Sequence, residues 1–159
     1  SGFFMDSKNS NGASQMEMQR YLSKIYGPLL DRIDIHIEVT PVPFEKLSET
    51  RKAESSVEIR KRVTKARDIQ TKRFENYNHI HYNAQMSSKL IREYCDLDEV
   101  SLQLLKTAME RLNLSARAYD RILKVSRTIA DLENSENVHS HHIAEAIQYR
   151  SLDREGWLG

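Results

Sequence analysis

The sequence has few of the residues that form turns or cross-link small folds. Its 159 residues include one cysteine, three prolines and five glycines. A single cysteine, Cys95, excludes an internal disulfide framework and suits a reducing, cytoplasmic setting. Few prolines and glycines favour long helices over a turn-rich all-β fold. No apolar run approaches the roughly 20 residues that a membrane-spanning helix needs, so we expect no membrane association.

The sequence also lacks the motifs that hold a nucleoside triphosphate. It contains no Gly-x-x-x-x-Gly-Lys-Ser/Thr loop, and no Walker B carboxylate follows a predicted strand. Nothing in these residues is therefore expected to bind the β- and γ-phosphates of ATP or its Mg²⁺. A formal net charge of +1 says little about partners.

The first part of the chain is predicted to contain a short helix after Ser14 and then one strand. Apolar residues alternate over 33–39, which is the clearest strand pattern in the chain. A single strand with no partner is not stable. We therefore interpret residues 1–45 as the edge of a larger domain.

The rest of the chain is predicted to be helical. In residues 46–86 a basic helix begins near Ser55, and an ordered loop follows it. Apolar residues spaced about three to four positions apart form a rough stripe along this helix. Residues 87–159 contain four short-linked amphipathic helices, as a small bundle requires. The stripe residues are Ile59, Val63, Ala66, Ile69 and Phe74, and the predicted helix caps of the bundle are Ser87, Asp98, Ser115 and Ser140.

The helix predicted to begin at Ser115 has an apolar face and a basic face. At about 100° per residue, Arg117, Arg121 and Lys124 lie opposite the apolar side chains. A solvated basic face is the ordinary interpretation. However, a cation in the first helical turn costs about 0.3–1 kcal/mol, so Arg117 is a candidate phosphate contact beside free backbone N–H groups. The apolar face comprises Tyr119, Ile122, Leu123, Ser126, Ile129 and Ala130.

A second arginine, Arg32, lies between Asp31 and Asp34 just before the predicted strand. A local surface ion pair is the simplest interpretation, and such pairs are weak. The alternative is an arginine presented to a neighbouring molecule, where it would stabilise charge on a transferred phosphoryl group. The residues alone leave the ion pair ahead.

These two segments resemble a known family. The run Leu-Leu-Asp-Arg-Ile-Asp at 29–34 and the run Leu-Ser-Ala-Arg-Ala-Tyr-Asp-Arg at 114–121 are similar to those of magnesium-chelatase-like AAA+ ATPases of the ComM/YifB competence group. The close of the chain near 143–150 is similar as well. The resemblance covers nearly the whole chain and is weakest over 45–85.

The resemblance implies a fold, a role and a set of site residues. The fold would be mainly α, a small AAA+ lid bundle preceded by a remnant strand and helix of the ATPase core. Arg32 would be the arginine finger and Arg117 the sensor 2 arginine, with Asp31 and Arg121 as support near the nucleotide. Arg127 would be a further, structural lid arginine.

The resemblance also implies how the whole protein works. It would be a homo-hexameric ring that uses ATP and Mg²⁺ to remodel DNA, in branch migration, or to assist metal insertion. Because the phosphate loop is missing, we interpret the chain as a fragment with the last piece of the core and the lid. We expect no cofactor and no ATP hydrolysis in this fragment alone.

Two other interpretations remain open. Lys61, Lys65 and Lys72 share one helical face and suit a nucleic-acid phosphate track, although no aromatic residues interleave for base stacking. The chain could then be a non-enzymatic helical module that binds nucleic acid, or a bundle that binds protein partners. The histidines at 139, 141 and 142 are not expected to bind metal, because no cysteine is near and two of them point apart on a helix.

Overall fold

The computed structural model describes residues 32–37, 39 and 53–150. Within these ranges the chain is mainly α-helical, as predicted, with a short 3₁₀ turn at Asn83–Gln85. The five α-helices of these ranges are α1 Ser56–Arg73, α2 Ser88–Tyr94, α3 Glu99–Arg111, α4 Ala116–Glu133 and α5 Ser140–Gln148. None of them is long and apolar enough to cross a bilayer.

Side-chain caps determine where three of the helices begin. The side-chain oxygens of Ser55, Asp98 and Ser115 accept hydrogen bonds from backbone N–H groups three residues later, at 3.3, 2.7 and 3.2 Å. Each bond satisfies a donor that has no partner inside the helix. These three predicted starts are confirmed.

The start of α5 differs from the prediction by one residue. The N-cap is His139, and Ser140 is the first helical residue. The backbone N–H of His139 donates to Nδ1 of His142 at 2.9 Å. His142, three residues after the N-cap, thus accepts the hydrogen bond that Glu or Gln accepts in the usual capping box.

Helix α4 lies at the centre of the bundle. It packs against α1, α2, α5 and the 3₁₀ turn, and α3 packs against α5. Ile122, Leu123, Ser126 and Ala130 are buried on the face that the 3.6-residue period predicted. The core around them comprises Phe74, Met86, Leu90, Ile91, Cys95, Leu105, Val138, Ile143 and Ala146.

Helix α1 buries only its second half, which corrects the predicted stripe. Ala66 and Phe74 are buried as expected, but Ile59 and Val63 are each 42% exposed. Every residue from Ser55 to Lys65 is exposed. The apolar period alone could not reveal that the first half of α1 extends past the described part of the bundle.

The predicted strand over 33–39 is not formed by the described residues of that range. A strand needs a partner with which to exchange backbone hydrogen bonds. Here the backbone N–H of His36 donates instead to the carbonyl of Tyr149, at 2.6 Å. The helix predicted after Ser14 lies outside the described residues. The division of the chain at 45 and 86 stays a prediction.

Candidate functional site

The first turn of α4 presents Arg117. Its cap, Ser115, sets the start of the helix, and Arg117 is the second helical residue and is exposed. A guanidinium and the N-terminal end of a long helix therefore lie together, although the helix dipole disfavours a cation there. This combination suits an anionic ligand.

Residues 32–37, the docked segment, lie against the C-terminal end of α5. The carbonyl of Ile33 accepts a hydrogen bond from Arg150 Nη1 at 2.6 Å, and His36 bonds to the backbone of Tyr149. Arg150 and His36 are 1% and 5% exposed. Arg32, at the start of the segment, is exposed.

An ion pair also ties the docked segment to α4. Arg121 pairs with Asp34, and their side chains are 27% and 48% exposed. Arg121 follows Arg117 by one helical turn, so Asp34 lies beside the same face of α4 that carries the first candidate arginine. The simple interpretation of Asp34 as a local partner of Arg32 gives way to this long-range contact. Asp31, the other predicted support residue, lies outside the described residues.

Lys124, the third cation of this face, is not simply solvated. Its Nζ donates to the carbonyl of Ala84 at 2.9 Å. Partial burial lowers its pKa. Arg121 and Lys124, two cations of the α4 basic face, therefore bind other parts of the chain.

A buried polar network joins α1, the 3₁₀ turn and α4. Asp131 is fully buried, and its carboxylate accepts from Arg73 at 2.5 and 2.7 Å and from Arg127 at 3.1 Å. Asn83 donates to the same carboxylate at 2.8 Å and accepts from Arg73 at 2.8 Å. Desolvation lowers the pKa of Arg127, the Asp131 carboxylate opposes this shift, and the neighbouring Arg73 cation adds to it.

Arg127 also closes the turn after α4. Asn134 adopts a left-handed conformation with φ 62° and ends the helix. Arg127 then donates to the carbonyls of Ser135 and Glu136 at 2.6 and 2.8 Å. The expected structural role of Arg127 is confirmed. The sequence signal for the network is its i,i+4 spacing from Asp131, whereas Arg73 is 58 residues away from that carboxylate.

Cys95 is a core thiol. It is 4% exposed, and its Sγ lies 3.6 Å from the carbonyl of Leu123. Burial raises its pKa to about 12. A thiol with so high a pKa is a poor nucleophile at neutral pH.

A surface cavity of about 490 Å³ lies over the polar network. Arg73 and Arg127 line it together with Glu93, Asp96 and Glu136. Both guanidiniums are bonded to Asp131, and in addition Arg73 donates to the side chain of Asn83 and Arg127 to backbone carbonyls. The lining of the cavity therefore carries both charges, and its two arginines already have partners within the chain. Arg127 is ten residues beyond Arg117 on α4, about 15 Å at 1.5 Å per residue.

A cluster of Glu133, His141 and His142 brings three metal-ligand types within 4.8 Å. The prediction that His141 and His142 point apart is wrong, because both rings contact Glu133 at the end of the preceding helix, and no spacing in the sequence indicated Glu133. His142 Nδ1 accepts from His139, so its proton lies on Nε2 and points to Glu133. In this tautomer Nε2 has no lone pair for a cation. The expectation of no metal stays a prediction.

The basic face of α1 is exposed. Lys61, Lys65 and Lys72 all face solvent, and Lys61 Nζ lies 2.8 Å from Glu58. Arg62 pairs with Glu54 at 2.7 Å. Exposed pairs of this kind contribute little stability. The basic face of α1 is thus exposed to solvent in the described bundle.

The fold defines a mainly helical bundle of the kind that forms the lid of an AAA+ ATPase. Residues 53–150 match the family model "Magnesium chelatase, subunit ChlI C-terminal", and residues 1–47 match "Magnesium chelatase, subunit ChlI". The chain therefore belongs to the magnesium chelatase ChlI family of AAA+ ATPases.

Individual relatives agree with this assignment. The chain is 41% identical over 145 residues to the competence protein ComM of Haemophilus influenzae, which covers 91% of this chain and 28% of the relative. It is 38% identical over 147 residues to the uncharacterized protein YifB of Escherichia coli, with 92% and 28% covered. An uncharacterized protein of Mycobacterium tuberculosis is 32% identical over 132 residues, with 83% and 26% covered. The chain thus spans just over a quarter of the length of these relatives.

Proposed function

We propose that the chain is the arginine-supplying part of a ring-forming, ComM-type AAA+ ATPase. Arg32 acts as an arginine finger and Arg117 as the sensor 2 arginine, each at a bound ATP. One observation carries this proposal. Both arginines are exposed, and the docked segment that begins with Arg32 is bonded to the end of α5 and to α4, the helix that carries Arg117.

The chemistry of ATP hydrolysis explains why these arginines would matter. Negative charge on the transferred phosphoryl group is stabilised by a positioned guanidinium, and a finger supplied in trans raises the rate about 10³–10⁵-fold. That factor corresponds to roughly 4–7 kcal/mol of barrier. Arg32 is exposed on a segment that is bonded to the bundle. Its guanidinium can therefore contact a neighbouring molecule without leaving a buried position in its own subunit.

The residues present fit only one side of a nucleotide. They can supply guanidiniums, but they include no phosphate loop and no Walker B carboxylate. ATP and Mg²⁺ would therefore be held by other segments of the whole protein, which we take to be a homo-hexamer. The chain alone is expected to hydrolyse no ATP.

The decisive experiment uses the whole protein. Arg32→Ala should abolish ATP turnover while ATP binding remains nearly unchanged. Arg117→Ala should impair turnover and weaken binding. Arg92→Ala, a matched change at an exposed arginine of α2, should have neither effect.

Mixed rings test whether the finger acts between subunits. An Arg32→Ala subunit keeps its phosphate loop, and a Walker A variant keeps its finger. Mixing the two inactive proteins should restore turnover at the sites where an intact loop meets an intact finger. If mixed rings stay as inactive as either parent, a finger supplied in trans is ruled out.

The substrate that the ring remodels is proposed to be DNA. The chain is 41% identical to the competence protein ComM, and its resemblance to the ComM group implies remodelling of DNA in branch migration. The exposed lysines of α1 suit phosphate contacts that need charge and little else. A branch-migration assay on a synthetic four-way junction tests this, and turnover that DNA does not stimulate would favour a metal-insertion partner.

A second candidate function is a helical module that binds without catalysis. It is favoured by the exposed first half of α1, where Val57, Ile59 and Val63 accompany the lysines. DNA binding through this helix should weaken steeply with salt and should be lost when Lys61, Lys65 and Lys72 are changed to Gln. A stable protein partner, with no effect of either candidate arginine, would favour an interaction bundle.

A further inference from the structure

Three of the residues that follow Arg32 bond the docked segment to the bundle. The carbonyl of Ile33 is bonded to Arg150, the carboxylate of Asp34 to Arg121, and the N–H of His36 to Tyr149. Two of these contacts are to the end of α5, and the third is to α4. The contact between Asp34 and Arg121 links the described segment to the helix that carries Arg117.

We propose that Arg121 is a positioning residue: through Asp34 it sets the place of Arg32 relative to α4. This inference rests on the proposed role of Arg32 as the finger. Arg121 then acts through its ion pair with Asp34, and it is not itself a contact to the nucleotide.

The charge balance of Arg121 supports this assignment. Its guanidinium is partly covered and bonded to a carboxylate, so its charge is already matched inside the chain. A second anion at the same guanidinium would have to displace or share Asp34.

The geometry also explains why Arg32 needs such a support. Within the described residues the segment after Arg32 forms no strand, and it is bonded instead through Ile33, Asp34 and His36. Ordering a free backbone costs conformational entropy, and these three contacts lie directly after Arg32 in the chain. Misplacing a catalytic group by about 1 Å can cost about 10²-fold in rate.

The ion pair further couples two candidate sites. Residues four apart on a helix have Cβ atoms about 5–6 Å from each other, so Arg117 and Arg121 move together when α4 moves. A shift of α4 that accompanies nucleotide contact at Arg117 is passed through Asp34 to Arg32. In this way the position of the lid in a subunit affects the position of the arginine finger that the same subunit presents.

A double-mutant cycle in the whole protein tests the proposal. Arg121→Gln and Asp34→Asn should each lower kcat for ATP hydrolysis by about 10- to 100-fold and leave the KM for ATP nearly unchanged. The double variant should be no worse than either single variant, because both remove the same contact. The charge swap Arg121→Asp with Asp34→Arg should recover part of the rate, whereas Arg92→Gln and Asp68→Asn, at exposed positions, should change nothing.

A direct nucleotide contact would give a different pattern. Arg121→Gln would then raise the KM or the dissociation constant for ATP, Asp34→Asn would not reproduce it, and the charge swap would not rescue. Any of these three results overturns the positioning role.

Hydrogen exchange of the peptide that covers 33–37 supplies a readout independent of turnover. Exchange should become faster in Arg121→Gln. Unchanged exchange, or faster exchange with normal kcat, overturns the proposal. Failure of the proposed function is distinguishable, because Arg32→Ala would then keep normal turnover whatever the changes at Arg121 and Asp34 do.

Discussion

Arg127 and Asp131, one turn apart on α4, form a buried ion pair that Arg73 of α1 completes. The pair explains how a charged helix end can lie inside the bundle. Every charge in it has a partner, and Asn83 satisfies a remaining oxygen. Helix α1 is thereby joined to the centre of the bundle by polar contacts as well as by Phe74.

Removing the shared carboxylate should be strongly destabilising. Asp131→Ala leaves two guanidiniums buried without their anion, and such changes cost about 3–5 kcal/mol. The free energy of unfolding, from urea titration followed by circular dichroism, measures this. The matched change Asp68→Ala, at an exposed position on α1, should cost well under 1 kcal/mol. Equal effects of the two variants would show that the network is not the source of stability.

Cys95 should be chemically protected while the bundle is folded. Because burial raises the pKa of the thiol to about 12, little thiolate exists at pH 8 and reagents cannot reach it. Iodoacetamide should label the native protein very slowly and the urea-unfolded protein rapidly, as mass spectrometry would record. Rapid labelling without urea would contradict the buried position.

Glu133 should make stability depend on acid pH. Hydrogen bonds from His141 and His142 lower its pKa below the usual 4.5. A lowered folded-state pKa means that this stabilisation is fully present above pH 4.5 and is lost as pH falls through the folded value. Glu133→Gln should therefore be less stable than the unmodified protein at pH 6–7, and the difference should shrink towards pH 3.

Urea midpoints measured from pH 7 to pH 3 test this dependence on Glu133. Glu110→Gln, at an exposed site on α3, provides the control and should follow the unmodified protein at every pH. A constant difference between Glu133→Gln and the unmodified protein down to pH 3 would show that the histidine bonds do not depend on the charge.

Local sequence signals predicted the helix starts well. Ser115 and Asp98 were identified as caps because a short polar oxygen can meet a backbone N–H three residues on, and that chemistry is complete within one helical turn. The apolar face of α4 was also predictable from its period. Family resemblance, and not periodicity, supplied the candidate roles of Arg32 and Arg117, which stay predictions.

Contacts between distant parts of the chain were not predictable. The pairing of Asp34 with Arg121 joins residues 87 positions apart, and no period or spacing encodes it. The alternating pattern at 33–39 predicted a strand that the described residues of that range do not form, because a strand needs a partner and the backbone N–H of His36 is bonded instead to Tyr149. The exposed Val63 was wrong as a core residue because burial depends on where the neighbouring helices stop.

The ring proton of His142 should lie on Nε2, which sets a limit on metal binding. The backbone N–H of His139 holds the Nδ1 lone pair, so Nε2 must donate to Glu133. Long-range proton–nitrogen NMR spectra should report this tautomer at pH 7. For a cation to bind at Nε2, the cap of α5 would have to break. Zinc should therefore leave the unfolding temperature unchanged. A rise in that temperature with zinc, lost in both His141→Ala and Glu133→Gln, would show instead that the cluster binds metal.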